Sequence, residues 1–461
     1  MKVAPARTAA FEILTRVASE NAYASHLLTS TRYDHLSSAD HALAQELTLG
    51  VLRWQAQLDF FIEHFTKRKL AKLDLEVILA LRIGLYQLQF LDRIPPHAAI
   101  NESVNLVKLH KKHSAAPMVN AVLRAAQRTD KTAFAQLYGN LRDPLEKLSV
   151  ETSHPKWLLQ RWSNRTGQEE TRQLAIANNH APLTAFRFNP RVQAEALTRE
   201  WLANHHIQFR NTTLTPNAMV VETGSLSGKT EPIQQGWIYL QDEASQLVAH
   251  LLANNPKSKI QNPKLLDLCA APGSKTSLLA SLLPKDALLV AGDLYAHRLQ
   301  TMRELAARAK ISNLNLLRLD ATQSLPFATD AQFDLVLLDA PCSGLGTLQR
   351  HPEIKWRMTE TRITELAELQ KQLLANAATQ VQSGGLLAYS VCSTEPEEGE
   401  EVIAAFCTTH PEFSDVTREQ LTELEIDPTG LMTATFGART FPHQQGCEGF
   451  FVCVLWKRQR G

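Results

Sequence analysis

Apolar positions in the first 130 residues recur at intervals of three and four. Phe11, Ile13, Leu14 and Val17 make one such face, and Leu43, Leu47, Val51, Trp54, Leu58, Phe61, Ile62 and Phe65 hold the spacing for six turns. Pro95-Pro96 ends the helix that runs through Leu88, and Pro117 sits where the first residue of a helix over 118–127 belongs. Long amphipathic helices with short breaks predict an all-α bundle over 1–130. Its most basic stretches are Lys67-Arg68-Lys69 and 108–113, KLHKKH.

The pattern changes over 131–240. Helical spacing across 157–176 gives way to a strand-like 184–188, a helix over 192–204, and further strand-like runs at 219–222 and 237–240. A small α+β module is the economical reading. From residue 241 the chain alternates regularly. Near-continuous apolar runs at 265–268, 287–292, 314–319, 333–338 and 385–389 are separated by helical stretches at 277–283, 296–309 and 360–381. Buried apolar strands between helices predict a parallel sheet covered on both faces, a doubly wound α/β domain over 241–461. Two tail segments, 431–436 and 450–456, are candidates for an antiparallel edge.

Composition adds limits. The chain has 461 residues, 44% hydrophobic and 21% charged, so several packed domains are expected. No apolar run reaches the ~18 residues of a membrane helix, since the best candidate, 77–91, contains Arg82, Gln87 and Gln89. The first residues lead into an amphipathic pattern and not a signal-peptide core. Six cysteines without a C-x-x-C pair argue against a disulfide scaffold and a structural zinc site. A reducing, cytoplasmic setting without membrane or metal is the expectation.

The net charge of +1 divides unevenly. Residues 1–140 carry 17 basic against 12 acidic side chains, and residues 241–461 carry 20 against 26. Ordinary surface variation accounts for this as well as a polyanion met by the front half does.

The first strand of the α/β domain ends in Asp267-Leu268-Cys269-Ala270-Ala271-Pro272-Gly273-Ser274-Lys275-Thr276. Small residues before a helix let backbone approach a ligand at the carboxyl edge of such a sheet. There is no G-x-G-x-x-G for a pyrophosphate, and Ser274 stands where a P-loop needs glycine. Asp293 closes the second strand, at the distance from Gly273 at which a carboxylate reaches ribose hydroxyls. Asp320 closes the third strand and Asp339 the fourth. One aspartate at a strand end is commonly a helix cap. Three in register with a small-residue loop mark a site for a ribose-containing ligand without a pyrophosphate, which points to S-adenosylmethionine.

Cys342 follows the fourth strand and Cys392 the fifth, both leaving the sheet at the ligand-binding edge. Cys407 and Cys453 read as inert core, Cys269 as a small residue lining the loop, and Cys447 as a loop residue without an evident partner. A thiol beside a methyl donor has a specific use. Carbon 5 of a pyrimidine is a poor nucleophile, and thiolate addition at carbon 6 makes it enamine-like. Asp339, just before Cys342, is placed to hydrogen-bond the ring at nitrogen 3.

LDLCAAPGSKT, LLDAPCSGLGTLQRHPEIKW and LLAYSVCSTEPEEGEEVI resemble the signature motifs of the RNA cytosine-5 methyltransferases, the NOL1/NOP2/Sun family. AAINESVNLVKLHKK and APMVNAVLRAA are similar to the NusB-like domain of its bacterial RsmB (Sun/Fmu) branch, whose substrate is a cytosine of 16S ribosomal RNA. The middle module would correspond to the branch's small RNA-recognition-like insert. The resemblance implies a NusB-like bundle, then this insert, then a class I (Rossmann-like) methyltransferase domain. It implies Cys392 as nucleophile and Cys342 as the residue assisting product release. It also implies an S-adenosylmethionine site of Cys269, Ala270, Ala271, Pro272, Gly273, Ser274, Lys275, Asp293, Asp320 and Asp339, with Asp339 also facing the target base.

Three departures stand out: Ser274 for the usual glycine, Val391 for threonine, and Glu448 for aspartate. The expected partner is 16S ribosomal RNA and the expected state a monomer. A transfer-RNA substrate, a non-catalytic assembly or antitermination role, and a DNA methyltransferase are the alternatives. The NusB-like motifs weigh against the first, the intact cysteines, Asp339 and cofactor loop against the second, and the accessory bundle against the third.

Overall fold

The structure, a computed structural model, describes residues 3–253, 262–327 and 332–459. They form two units: Met1–Ala181 with Leu348–Arg357, and Pro182–Thr347 with Met358–Gly461.

The first unit is helical. Helices Pro5–Glu20, Ser38–Arg53, Gln55–Thr66, Leu75–Phe90, Pro96–Leu109 and Ala116–Arg128 enclose a core that includes Phe11, Leu14, Leu47, Leu58, Phe61, Ile62 and Leu123. The apolar ridge from Leu43 to Phe65 is not one helix. It breaks at Trp54, whose φ of −102° and ψ of 19° end one helix and begin the next. The break leaves first-turn N–H groups without intrahelical acceptors, and the Ser153 hydroxyl accepts one of them, from Ala56 at 2.9 Å. Both halves still face the same core, so the spacing continues across a bend it does not reveal. The 157–176 stretch is also two helices, Lys156–Thr166 and Gln168–Asn178, parted by Gly167 at φ +83°.

Residues Leu348–Arg357, distant in sequence, belong to this unit. The Trp356 indole N–H donates to the Leu52 carbonyl at 2.7 Å, and Arg357 donates to the carbonyls of Val17, Asn21 and Ala22. The Glu353 carboxylate accepts from the Ala24 N–H at 2.9 Å. Lys355 is fully buried, its Nζ donating to the Arg53 carbonyl at 3.0 Å and to Asn179 Oδ1 at 3.3 Å. Burial, then the Arg53 charge, pulls Lys355 well below the ordinary lysine value.

In the second unit, β1 (Ala185–Phe188), β2 (Gln208–Asn211), β3 (Ala218–Thr223) and β4 (Ile238–Leu240) form an antiparallel sheet of order β2-β3-β1-β4. Phe186, Met219 and Val221 pack with Leu202 of helix Glu195–Asn204.

The larger sheet contains β5 (Lys264–Leu268), β6 (Leu288–Asp293), β7 (Leu314–Arg318), β8 (Phe333–Asp339), β9 (Val381–Val391), β10 (Phe413–Asp415), β11 (Ala438–Arg439) and β12 (Phe451–Lys457). Its order is β10-β12-β9-β8-β5-β6-β7, with β11 added to β12. The five strands from β9 to β7 are parallel, while β12 runs antiparallel to β9 and β10. Strand order reverses between β5 and β8, and this opens a crevice at their carboxyl ends.

The tail departs from its pattern. Residues 431–436 are not a strand, because Met432 makes a single bridge to Ala438 and the chain then turns. The Thr433 hydroxyl accepts from the Phe436 N–H at 3.1 Å, and Gly437 takes φ +70°. The pairing falls instead to β11, and the edge strand β10 is too short to show periodicity.

Leu337 lies in the middle of β8 and is fully buried. Leu337→Ala should cost about 2–5 kcal/mol, the transfer of its side chain plus the cavity left behind. Urea denaturation followed by fluorescence measures this, and a loss below about 1 kcal/mol would mean that the sheet collapses around the gap.

Candidate active site

The candidate residues stand at strand ends, in the loops that follow them, or in the first turn of the helix after β5. The loop after β5 passes from Cys269, at φ +59°, through the cis Ala271-Pro272 bond to Gly273, at φ +100°. A Cβ on Gly273 would lie 2.8 Å from Met302 Cγ and 3.3 Å from Leu305 Cδ2, so both conformation and space demand glycine. Ser274 begins the helix Ser274–Leu282 and is not among the positive-φ residues, so its position makes no such demand. Burial, followed by the charges of Asp293, Asp339 and Asp267, pushes the Cys269 thiol up to about 12, which leaves it unreactive.

Asp293 ends β6, with its oxygens accepting from the Tyr295 N–H at 2.9 Å and the Ala271 N–H at 3.3 Å. It is buried, whereas Leu294 and Tyr295 beside it are exposed. Asp320 lies beyond β7 and is exposed. Its Oδ1 accepts from the Thr322 N–H and hydroxyl, which hold its carboxyl below the usual range. Asp293 bonds the loop at Ala271 and Asp339 bonds Lys275, whereas the bonds of Asp320 go to Thr322.

Lys275 Nζ donates to Asp339 Oδ2 at 2.6 Å, and the Ser390 hydroxyl donates to Asp339 Oδ1 at 2.7 Å. Burial opposes the Lys275 charge. Attraction and hydrogen bonding to Asp339, with Cys392 and Asp267 adding, nevertheless raise it above the ordinary lysine value.

The two cysteine sulfurs are 3.2 Å apart, at the ends of β8 and β9. The hydrogen bond with Cys392, then burial, then the Cys392 and Glu398 charges hold the Cys342 thiol well above its ordinary value.

Glu398, which the sequence reading passed over, fixes this pair. Its buried carboxylate accepts from the Ser343 N–H at 2.7 Å and from the hydroxyls of Ser343 and Ser393, both at 2.5 Å. One carboxylate thus ties the residue after Cys342 to the residue after Cys392. Gln370 adds a bond to Glu398 at 3.1 Å and another to the Pro341 carbonyl at 2.9 Å. The available signal was a carboxylate shortly after a Cys-Ser pair, hidden in an acidic run. Gly346 N–H donates to the Cys392 carbonyl at 3.1 Å, and a Cβ on Gly346 would come within 1.7 Å of the Gly449 carbonyl oxygen.

Val391 is fully buried among apolar side chains, so its lost hydroxyl leaves a packed position. Glu448 is held through its backbone, its carbonyl accepting from the Thr440 hydroxyl and its N–H donating to Asp242. Cys453 is buried, and Cys407 is only half-buried. Cys447 is buried too, and burial raises its thiol well above the usual value.

The arrangement can hold a nucleoside carboxyl-edge ligand beside a thiol pair. Among the described residues no group of histidine, cysteine or carboxylate side chains is suited to a metal. No helix of the described residues is long and apolar enough to cross a membrane.

Comparison with known proteins gives the same outline. Residues 252–456 match the family described as 16S rRNA methyltransferase RsmB/F, residues 4–128 the NusB family, and residues 154–225 the RsmF/B-like ferredoxin-like domain. The chain is 33% identical over 460 residues to a probable ribosomal RNA small subunit methyltransferase B of Bacillus subtilis, covering 99% of this chain and 100% of that one. It is 34% identical to the ribosomal RNA small subunit methyltransferase B of Pseudomonas syringae pv. tomato, covering 98% and 96%. The crystal structure of PH0851 superposes with a TM-score of 0.81 at 23% identity, covering 99% of this chain and 100% of that one, a likeness of fold.

Asp267, beneath the loop, accepts from the Thr276 hydroxyl but leaves Oδ1 buried without a partner. Burial, with Asp339 and Asp293 nearby, pushes its carboxyl up to about 7. A carboxyl that binds its proton more tightly when folded favours the folded state below its unfolded pKa near ~3.9, and that contribution is lost as pH rises towards about 7. Asp267→Asn keeps the acceptor for Thr276 and cannot ionise. Urea denaturation at pH 5 and pH 8 should show a smaller pH difference in the variant than in the wild type, and equal differences would place this proton elsewhere.

Proposed function

The chain belongs to the 16S rRNA methyltransferase RsmB/F family, and from that membership we propose that it methylates carbon 5 of a cytosine in small-subunit (16S) ribosomal RNA through a covalent adduct of Cys392. The observation that carries the reading is the thiol pair 3.2 Å apart, one strand end from a carboxylate that the cofactor loop itself binds.

The residues suit S-adenosylmethionine. Asp293 spends one amide bond on each oxygen and retains lone pairs for ribose hydroxyls. The exposed Leu294 and Tyr295 beside it offer an apolar surface for a purine. Gly273 lets backbone approach, and Lys275 is committed to Asp339 and unavailable to a phosphate. When bound, the cofactor supplies an electrophilic methyl group.

The chemistry falls to the two sulfurs and Asp339. The Cys392 thiolate adds to carbon 6 and its electron pair forms the new C–S bond. The displaced π electrons give carbon 5 enamine character, and carbon 5 takes the methyl group. Nitrogen 3 takes up a proton as the adduct forms, balancing the one the Cys392 thiol gives up, and the Asp339 carboxylate accepts the resulting N3–H hydrogen bond and stabilises the adduct. Loss of the carbon-5 proton then restores the double bond and expels Cys392, a step that Cys342 assists. To reach both sulfurs the cytosine must leave any stack, so loops or single strands are the preferred substrate. The helical unit, with its NusB match and basic stretches, is the part expected to hold the RNA.

Asp293→Asn should weaken S-adenosylmethionine binding by about 1.5–3 kcal/mol if a charged acceptor to ribose hydroxyls is lost. Calorimetry on the folded variant decides it, and unchanged affinity removes Asp293 from the site.

The cysteines separate in a second experiment. Cys342→Ala should methylate, release slowly, and accumulate a denaturant-resistant protein–RNA complex visible as a shifted band. Cys392→Ala and the double variant should give neither methylation nor the band. A band from Cys392→Ala alone would reverse the assignment, and methylation without a cysteine requirement would reject the adduct.

A further inference from the structure

Behind the cofactor loop, within the second unit, lies a cavity of about 170 Å³. That is far above the ~10–15 Å³ that one water requires. Its walls come from β1, β4, Ser277 and the end of the helix Ala296–Arg308.

Three hydrogen-bond donors face it without counter-charge. Arg187 is 4% exposed, and its Nε and Nη2 donate to Gln241 Oε1 at 2.9 Å and Ser277 Oγ at 2.7 Å, both neutral. Its Nη1 has no partner among the described residues. Tyr239 lies under the same guanidinium, 5.0 Å from ring centroid to Cζ, and its hydroxyl has no partner among the described residues either. Arg308 is exposed at the rim and makes no ion pair among the described residues. No carboxylate lines the cavity. Burial pulls Arg187 down to about 10, offset only in part by Tyr239 and by no carboxylate. A buried guanidinium left uncompensated by the protein is the arrangement that an anionic ligand stabilises.

We propose that this cavity binds a phosphate group, through Arg187, Tyr239 and Arg308, and that its occupancy is coupled to the cofactor loop. A planar guanidinium with a second arginine and a phenol matches the several acceptor oxygens of phosphate better than it matches a halide or a lone carboxylate. The coupling has two physical links. Ser277 accepts from Arg187 and donates onward to the Ser274 carbonyl at 3.0 Å, inside the loop. Leu305 lines the cavity and also packs against Gly273 at the turn. A phosphate that draws on Arg187 therefore pulls on the loop where it enters the helix, at Gly273 and Ser274, and linkage makes the effect reciprocal.

The phosphate has two possible bearers, the backbone of an RNA strand or a free phosphate compound, and the test separates them. Inorganic phosphate is titrated calorimetrically into the full chain and into Arg308→Ala, Tyr239→Phe and Arg303→Ala. The last removes an exposed arginine on the same helix that does not line the cavity. A short unstructured RNA is then titrated into the same proteins at several salt concentrations.

Saturable phosphate binding, weakened roughly tenfold in Arg308→Ala and untouched in Arg303→Ala, assigns a free phosphate, the loss expected for one charge-assisted bond. Absence of that binding, with an RNA salt slope lowered by about one in Arg308→Ala alone, assigns the strand's phosphate. No effect in either titration, or equal effects in Arg303→Ala, overturns the site. Cofactor affinity that saturating ligand leaves unchanged overturns the coupling. The RNA arm rests on the proposed substrate. The inorganic-phosphate arm does not, so the two failures are distinguishable.

Discussion

A buried ammonium group that is to stay charged must keep a negative partner, and the arrangement around the crevice follows from that requirement. Lys275 is 6% exposed, and removing such a charge from water costs several kcal/mol unless it is paired. Its partner, Asp339, closes β8, and Asp339 is in turn held by Ser390 on β9. One ion pair therefore locks the helix after β5 to the ends of two neighbouring strands. The small-residue loop before that helix has few side chains of its own with which to hold a shape. The position of the loop relative to the carboxylate and the cysteines is inherited from Lys275.

Glu398 extends the same logic to the sulfurs. Each of the two cysteines is followed by a serine, and a serine hydroxyl in a loop has competing local hydrogen bonds open to it. Giving Ser343 and Ser393 a common buried acceptor removes the competition and brings two chain segments fifty residues apart into one geometry. The sulfur contact is then a result of where the carboxylate sits. Arg439 closes the rear of this assembly by donating to the Ser393 carbonyl at 2.5 Å and pairing with Glu400.

The parallel strands were legible because a strand covered on both faces must carry an apolar run, and β5, β6, β8 and β9 each do, at Leu265-Leu266, Leu289–Ala291, Leu335–Leu338 and Leu386–Ala388. Elements held by single polar contacts were not. The break at Trp54 leaves the apolar spacing intact because both helices bury the same core, and the acceptor for the broken turn, Ser153, lies far along the chain. Residues 431–436 carry a strand-like composition, yet a turn through Thr433 and Gly437 wins because Asp415 accepts the Gly437 N–H at 2.7 Å. In the site, residue types with distinctive chemistry were visible: the cysteines, the strand-end aspartates, the glycine. Glu398 and Asp267 were not, since nothing in an acidic run or at a strand interior distinguishes a carboxylate that is buried from one that is solvated.

The ten residues Leu348–Arg357 carry a consequence for how such a protein can be assembled or taken apart. The chain leaves the α/β unit after Thr347, contributes Lys355, Trp356 and Arg357 to the helical unit, and re-enters at Met358. The two units are thus joined by three crossings of the backbone instead of one. Replacing the N-terminal helices at the chain terminus alone would leave Lys355, Trp356 and Arg357 without the carbonyls of Arg53, Leu52 and Val17 to which they donate.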